Sequence, residues 1–225
     1  MGKVAGVEYN EGMISKGTER FQKLVTKSGN TLQLPELVQG AAQKLSFQND
    51  SFHAVTVNQV VHHFSSANNY EELLVCFQEA FRVLKSGGVF VLNTSMPLQQ
   101  QDAFWWLSLF PDQSKRMCKR FPPLAVIKKY LTQVGFELTA DSVVVPLERP
   151  LMDEKMYLDE GYKLAFKKEY RDCDSSWEMP KDELEKGLEL LKAKASEGTV
   201  QAWLQGREQR RMEIRQATFV TVYKP

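Results

Sequence analysis

Several polar residues near apolar segments have the types and positions needed for chemistry. Glu8 ends one short apolar segment, and its carboxylate can accept hydrogen bonds from two neighbouring hydroxyl groups. Asn58 and Gln59 follow a second apolar segment, and His62 and His63 come shortly after them. A histidine near its ordinary pKa can take a proton from an oxygen or nitrogen nucleophile. These residues are therefore candidates for ligand binding and for general-base catalysis.

The same residues also have purely structural interpretations. A glutamate that leads into a helix interacts favourably with the positive end of the helix dipole, so Glu8 can be a solvated helix-entry residue. Paired histidines at the start of a helix are common as packing and capping residues, which offers a second interpretation of His62 and His63. Residue types alone do not decide between the two.

Alternating short strands and amphipathic helices must position these candidates. Apolar runs predict strands at residues 3–7, 37–38, 52–57, 89–92, 143–145 and 217–223. Helical spacing predicts helices over residues 11–27, 69–84, 124–134, 182–191 and 199–216, the second capped by Asn69 and stopped by Gly87 and Gly88. This order predicts the α/β class, with a doubly wound, mostly parallel sheet.

Composition excludes several classes of protein. The 225 residues include 29 Lys+Arg and 28 Asp+Glu, and this balance argues against nucleic acid as a partner. The longest apolar stretch is too short to cross a bilayer, and no signal peptide is evident, so we expect a cytoplasmic protein without a membrane partner. The cysteines are widely spaced and predict neither a disulfide framework nor a metal site, at Cys76, Cys118 and Cys173.

Four segments together resemble one enzyme family. The segments L-S-F-Q-N-D-S-F-H-A-V (45–55) and R-V-L-K-S-G-G (82–88) resemble the strand entry and the turn of class I S-adenosylmethionine-dependent methyltransferases, of the methyltransferase type 11 kind. G-V-E-Y-N-E-G-M-I (6–14) resembles the second strand and following helix of that family, and K-K-Y-L-T-Q-V-G-F-E-L (128–138) its late helix and turn. The resemblance implies a Rossmann-like sheet of seven strands, with the last strand antiparallel.

The resemblance also implies a cofactor and a reaction. The cofactor would be S-adenosylmethionine, the reaction methyl transfer, and the partner a small-molecule acceptor. Glu8 would hold the cofactor ribose, and His62 and His63 are the catalytic candidates. The implied cofactor-binding set is Glu8, Tyr9, Met13, Ala41, Ala42, Asn58 and Gln59.

The sequence departs from the family pattern at several places, two of which concern cofactor binding. Ala41 stands where many relatives have an aspartate that binds adenine. No G-x-G occurs among the 13 glycines, although the family has a glycine-rich cofactor loop after its first strand. The resemblance therefore predicts that the chain starts at the second strand of the family, without the first strand and its loop. Unpaired sheet edges would then favour a homo-oligomer.

The predicted domain organisation has three parts. Residues 1–146 form the methyltransferase-like core, 147–216 a mostly helical insertion or lid, and 217–225 the last strand, which returns to the core sheet. The leading functional hypothesis is S-adenosylmethionine-dependent methyl transfer. One alternative is a non-catalytic interaction protein that keeps the fold. The other is a nicotinamide-dependent oxidoreductase, because such enzymes also have an acidic residue at the end of a strand, as Glu8 is here.

Overall fold

The computed structural model describes residues 4–29, 34–142, 161–172 and 174–225. These ranges contain five strands and eight α-helices. In chain order they are β1 (Ala5–Glu8), α1 (Glu11–Lys27), β2 (Glu36–Gln39), β3 (Phe52–Asn58), α2 (Glu71–Val83), β4 (Leu84–Thr94), α3 (Pro97–Asp102), α4 (Pro111–Arg120), α5 (Leu124–Val134), α6 (Lys168–Arg171), α7 (Lys181–Ser196), α8 (Val200–Ile214) and β5 (Thr218–Tyr223).

The five strands form two sheets. β1 and β2 pair in parallel, with Glu8 opposite Gln39 at their carboxyl ends. In the second sheet β4 is central and pairs in parallel with β3 and antiparallel with β5. Parallel strands joined through helices, with an antiparallel last strand, confirm the predicted α/β class. The strand expected at residues 143–145 lies outside the described residues.

Strand β4 is longer than the sequence predicts. It begins at Leu84, directly after α2, and it includes Gly87 and Gly88, which we expected to separate helix from strand. Backbone pairing explains the difference: Gly87 N donates to Lys224 O at 2.8 Å, and Lys224 N donates to Gly88 O at 2.9 Å. A Cβ at Gly88 would lie 2.7 Å from Lys85 O, so only glycine fits there.

Helix α2 also begins differently from the prediction. Its N-cap is Tyr70, which has a left-handed backbone (φ 64°) and makes no side-chain capping bond. Asn69 is therefore not the cap. The Glu72 carboxylate instead accepts a hydrogen bond from Ser65 N at 2.9 Å. The Tyr70 hydroxyl donates to Lys119 O at 2.9 Å, which fixes the start of α2 against the end of α4.

One hydrophobic cluster holds the second sheet against helices α2 and α5. The buried faces of both helices supply leucine and aromatic side chains, and β5 alternates buried and outward-facing residues. Burying each large side chain contributes roughly 1.5–3 kcal/mol. The fully buried members include Leu73, Phe77, Phe90, Leu92, Ile127, Leu131, Val220 and Val222.

A second hydrophobic cluster joins the segment after β4 to the late helices. Trp106 and Phe110 are completely buried there, and the Trp106 indole nitrogen donates to Ser176 Oγ at 2.9 Å. The rings of Trp106 and Trp177 stack with centroids 6.0 Å apart. The tryptophans of residues 105–106 therefore pack inside the protein. Segments on both sides of residue 146 build this cluster, and the three-part domain division stays a prediction.

Candidate active site

Glu8 lies at the carboxyl end of β1 and is fixed there by its neighbours. Its carbonyl accepts a hydrogen bond from Gly40 N at 3.1 Å, which ties β1 to the turn after β2. Its Oε1 accepts from Asn10 N at 2.9 Å, and Asn10 caps α1 by accepting from Met13 N at 3.2 Å. Among the described residues, Oε2 has no hydrogen-bond partner. One carboxylate oxygen is thus occupied by the turn, and the other can bind a ligand.

The remaining candidates on the first sheet lie at the same edge as Glu8. Tyr9 and Met13 are largely exposed, and Gln39 Nε2 donates to Tyr9 O at 3.3 Å. Ala41 and Ala42 are half-buried in a tight turn closed by a hydrogen bond from Lys44 N to Ala41 O at 3.0 Å. The structure therefore brings these four residues together with Glu8. Their role in cofactor binding stays a prediction.

At the carboxyl ends of β3 and β4, three amide side chains form a network. Asn93 donates from Nδ2 to Asn58 Oδ1 at 2.5 Å and accepts at Oδ1 from Gln59 Nε2 at 3.3 Å. Gln59 N also donates to Asn93 O at 2.8 Å, and this bond supports the left-handed backbone of Gln59 (φ 52°). Asn93 was not among the sequence candidates, although the parallel register places it opposite Asn58.

His62 and His63 lie in a single helical turn (Val61–His63) after β3, with ring centroids 4.2 Å apart. The His62 ring also stacks on Phe121 at 4.9 Å. Burial lowers the pKa of His62 to about 3, helped by the nearby charges of His63 and Arg120. His62 is thus neutral at neutral pH. Its Nδ1 is buried and finds no hydrogen-bond partner among the described residues.

His63 is more exposed than His62 and lies among charged groups from three other parts of the chain. Burial and the Arg120 guanidinium lower the pKa of His63, while the carboxylates of Glu8 and Glu178 raise it. The net direction is downward, so His63 is neutral and able to accept a proton at neutral pH. The geometry therefore favours His63 over the more buried His62 as a base.

Arg120 connects the histidine turn to the late part of the chain. Its Nε donates to His62 O at 3.3 Å, and its Nη1 donates to Ser175 Oγ at 3.1 Å. Glu178 lies in the same stretch, because its backbone nitrogen donates to Ser175 O at 3.1 Å. Sequence reasoning missed Arg120 and Glu178, since only tertiary packing brings them to residues 8 and 63.

Arg82, the first residue of the R-V-L-K-S-G-G segment, has a structural role beside the site. The Arg82 guanidinium donates to Leu45 O at 3.0 Å, to Phe47 O at 2.8 Å and to Asn49 Oδ1 at 2.9 Å. Glu79 pairs with Arg82 at 2.8 Å and also accepts from Leu45 N at 2.7 Å. Arg82 thereby fixes the loop that leads into β3.

Two further features of the described residues concern membranes and metal ions. No helix in these ranges combines the length and the apolar composition needed to cross a membrane. No group of three or more histidine, cysteine, aspartate or glutamate side chains within them could hold a metal ion. The cytoplasmic location, the lack of nucleic-acid and membrane partners and the homo-oligomer stay predictions.

Comparisons with known proteins agree with the fold. Residues 1–92 match the methyltransferase domain family. A demethylmenaquinone methyltransferase from Staphylococcus aureus (strain JH9) is 28% identical over 153 residues, covering 60% of this chain and 58% of the relative. The chain thus spans about 58% of the length of the curated relatives it matches.

Two solved structures show the same fold along the chain. One is assigned as a methyltransferase from an antibiotic biosynthesis pathway of Anabaena variabilis ATCC 29413, with a TM-score of 0.64 and 22% identity, covering 99% of this chain and 92% of that one. The other is assigned as a methyltransferase of Bacillus halodurans C-125, with a TM-score of 0.55 and 20% identity, covering 100% and 84%. The match over residues 1–92 and the shared fold of these two structures support assignment of the chain to the class I methyltransferases.

Proposed function

We propose that this protein transfers a methyl group from S-adenosylmethionine to a small-molecule acceptor. The observation that carries the proposal is the convergence of Glu8 and His63 from separate sheets. In open α/β sheets ligands bind beyond the carboxyl ends of the strands; Glu8 ends β1, and His63 lies in the helical turn that follows β3. A hydroxyl-binding carboxylate near a neutral imidazole suits this reaction, because the first can bind the cofactor ribose and the second can accept a proton.

The residues at this edge fit the cofactor in chemical type. The unpartnered oxygen of Glu8 would accept hydrogen bonds from the ribose hydroxyls. Ala41 and Ala42 offer apolar contact to the adenine, and the amides of Asn58 and Gln59 would bind polar groups of the methionine part. When bound, S-adenosylmethionine supplies an electrophilic methyl group on a sulfonium.

His63 would receive the proton that the acceptor loses. Its imidazole is neutral at neutral pH, so it can accept a proton from an acceptor oxygen or nitrogen. The imidazolium that forms would face the carboxylates of Glu8 and Glu178, which stabilise positive charge. Because a sulfonium is already a good electrophile, correct alignment of the acceptor would supply much of the rate.

Calorimetric titration of the purified chain with S-adenosylmethionine tests the proposal directly. We expect binding to the wild type and an affinity about tenfold weaker for Glu8→Gln, since hydrogen bonds to a charged group are lost. Glu11→Gln is the matched control, because Glu11 is exposed three residues away in the first turn of α1. Equal affinities of the Glu8 and Glu11 variants for S-adenosylmethionine would show that Glu8 does not bind the cofactor.

The second candidate is a non-catalytic interaction protein with the same fold. Ala41 favours it, because many relatives have at this place an aspartate that binds adenine. The same titration separates the two candidates. No heat and no thermal shift with S-adenosylmethionine would support the interaction protein and contradict the enzyme.

A further inference from the structure

Arg120 differs from several other arginines of the described chain in having no carboxylate partner there. Four arginines form ion pairs with an aspartate or glutamate within hydrogen-bond distance: Arg82 with Glu79, Arg116 with Glu183, Arg210 with Asp102 and Arg211 with Glu208. The Arg120 guanidinium is half-buried, yet within the described ranges it forms no ion pair. A partly desolvated charge without a counter-ion is costly, and proteins usually compensate for it.

The hydrogen bonds of Arg120 leave part of its guanidinium unused. Nε donates to His62 O at 3.3 Å, and Nη1 donates to Ser175 Oγ at 3.1 Å and to Met117 Sδ at 3.4 Å. Nη2 donates to no residue in the part of the chain that the structure describes. The bonds to His62 and Ser175 hold the group in place, so the unused donors are already oriented.

The surroundings of Arg120 place these donors beside the candidate base. Its charge lowers the pKa of both His62 and His63, so the guanidinium lies close to both rings. Both rings are neutral at neutral pH and do not compete for an anion. Guanidinium groups bind carboxylates through paired hydrogen bonds and are preferred where such geometry matters.

We propose that Arg120 binds a carboxylate of the methyl acceptor and thereby holds the acceptor next to His63. This inference rests on the proposed function, and it names the acceptor class as a small organic acid. Glu8 and Glu178 also face His63, and their negative charge would keep a second acidic group away. The acceptor therefore carries one carboxylate, which Arg120 recognises, and a separate oxygen or nitrogen that is methylated.

Benzoate and benzamide form a matched pair for testing this site, because they share one shape and differ in charge. Calorimetry without S-adenosylmethionine should show benzoate binding at least about tenfold tighter than benzamide binding. Arg120→Gln should weaken benzoate binding about tenfold, and Arg120→Lys should keep part of the affinity because it keeps the charge. Lys119→Gln removes the same charge from the exposed neighbouring position and should leave benzoate affinity unchanged.

Ser175→Ala controls for the structural role of Arg120. It removes one hydrogen bond of the guanidinium without removing the charge, so benzoate affinity should fall by no more than about threefold. Equal affinity of the wild type for benzoate and benzamide, or an unchanged benzoate affinity in Arg120→Gln, would overturn the inference. Because these titrations omit S-adenosylmethionine, a chain that binds benzoate through Arg120 but no cofactor would contradict only the proposed function.

Discussion

The backbone of Gly187 in α7 lies directly against the ring of Phe110. A Cβ added to Gly187 would lie 1.9 Å from Cε1 of Phe110, far inside any permitted contact. Phe110 belongs to the second hydrophobic cluster, where it is completely buried and also contacts the Trp177 ring, and Gly187 is buried on the face of α7 that meets it. Glycine at this position lets α7 pack close enough to cover that ring.

Gly187→Ala is therefore expected to lower the free energy of unfolding by about 2–3 kcal/mol, because the core must shift to admit the methyl group. Chemical denaturation with urea would measure the change. Gly206→Ala in α8 is the control, since a Cβ there meets no atom within 4 Å. Alanine should stabilise that helix by about 0.5–1 kcal/mol. A Gly187→Ala protein as stable as the wild type would show that the two residues do not pack in this way.

Arg82→Lys is expected to destabilise the loop before β3. A lysine cannot reach Leu45 O, Phe47 O and Asn49 Oδ1 together, so at least one bond is lost and the free energy of unfolding falls by about 2 kcal/mol. Hydrogen exchange at residues 45–51 would locate the loss. Arg20→Lys, at an exposed position of α1, should change neither quantity. Unchanged exchange in the Arg82 variant would contradict the scaffold role.

The low pKa of His62 makes the stability of the protein depend on pH. Below pH 6.5 the unfolded histidine binds a proton, whereas the folded one stays neutral until about pH 3. The free energy of unfolding should therefore fall as the pH decreases from 6.5 towards 3. His62 alone would contribute up to about 1.4 kcal/mol per pH unit to this fall. His62→Gln should flatten the dependence in urea unfolding curves at pH 7 and pH 5.5. A variant with the same slope as the wild type would mean that His62 titrates normally.

Asn93→Ala should weaken binding of S-adenosylmethionine about tenfold, if the proposed function holds. Removing the side chain breaks its hydrogen bonds to the amides of Asn58 and Gln59, so both amides lose their orientation, while the bond from Gln59 N to the carbonyl of residue 93 stays in place. Calorimetry gives the affinity, and Thr221→Ala on β5 serves as the control because it lies away from this network. An affinity equal to that of the control would exclude a positioning role for Asn93.

Local patterns were sufficient to predict the helices with regular apolar spacing and the strands of the second sheet. The apolar pattern of the sequence did not predict helices α3 and α4, because the buried residues of these helices are largely polar. Gln99, for example, is buried because its Nε2 donates to Ile214 O at 3.1 Å and to Ala217 O at 3.3 Å. Such bonds to distant carbonyls leave no periodic signal in a sequence.

The candidate site was predictable to the extent that it follows strand ends. Glu8 and His63 each come after an apolar run, and ligands of α/β proteins bind beyond the carboxyl ends of such strands. Arg120 could not be found in this way, because it ends a polar helix and reaches the site through its contacts with His62 and Ser175. Asn93 required the register of β3 against β4, which a single sequence does not fix.

The pairing of β4 with β5 constrains how the chain can fold while it is being translated. Thr94 pairs with Thr218, and Val89 pairs with Tyr223, so residues 95–217 must leave the ribosome before this ladder can form. Until then the nascent chain exposes an open edge of β4 together with the apolar surface that Val220 and Val222 later cover. Such long-range pairing folds slowly and leaves that edge open to wrong contacts during synthesis. We therefore expect expression at lower temperature, which slows aggregation of the unfinished chain, to increase the yield of soluble protein.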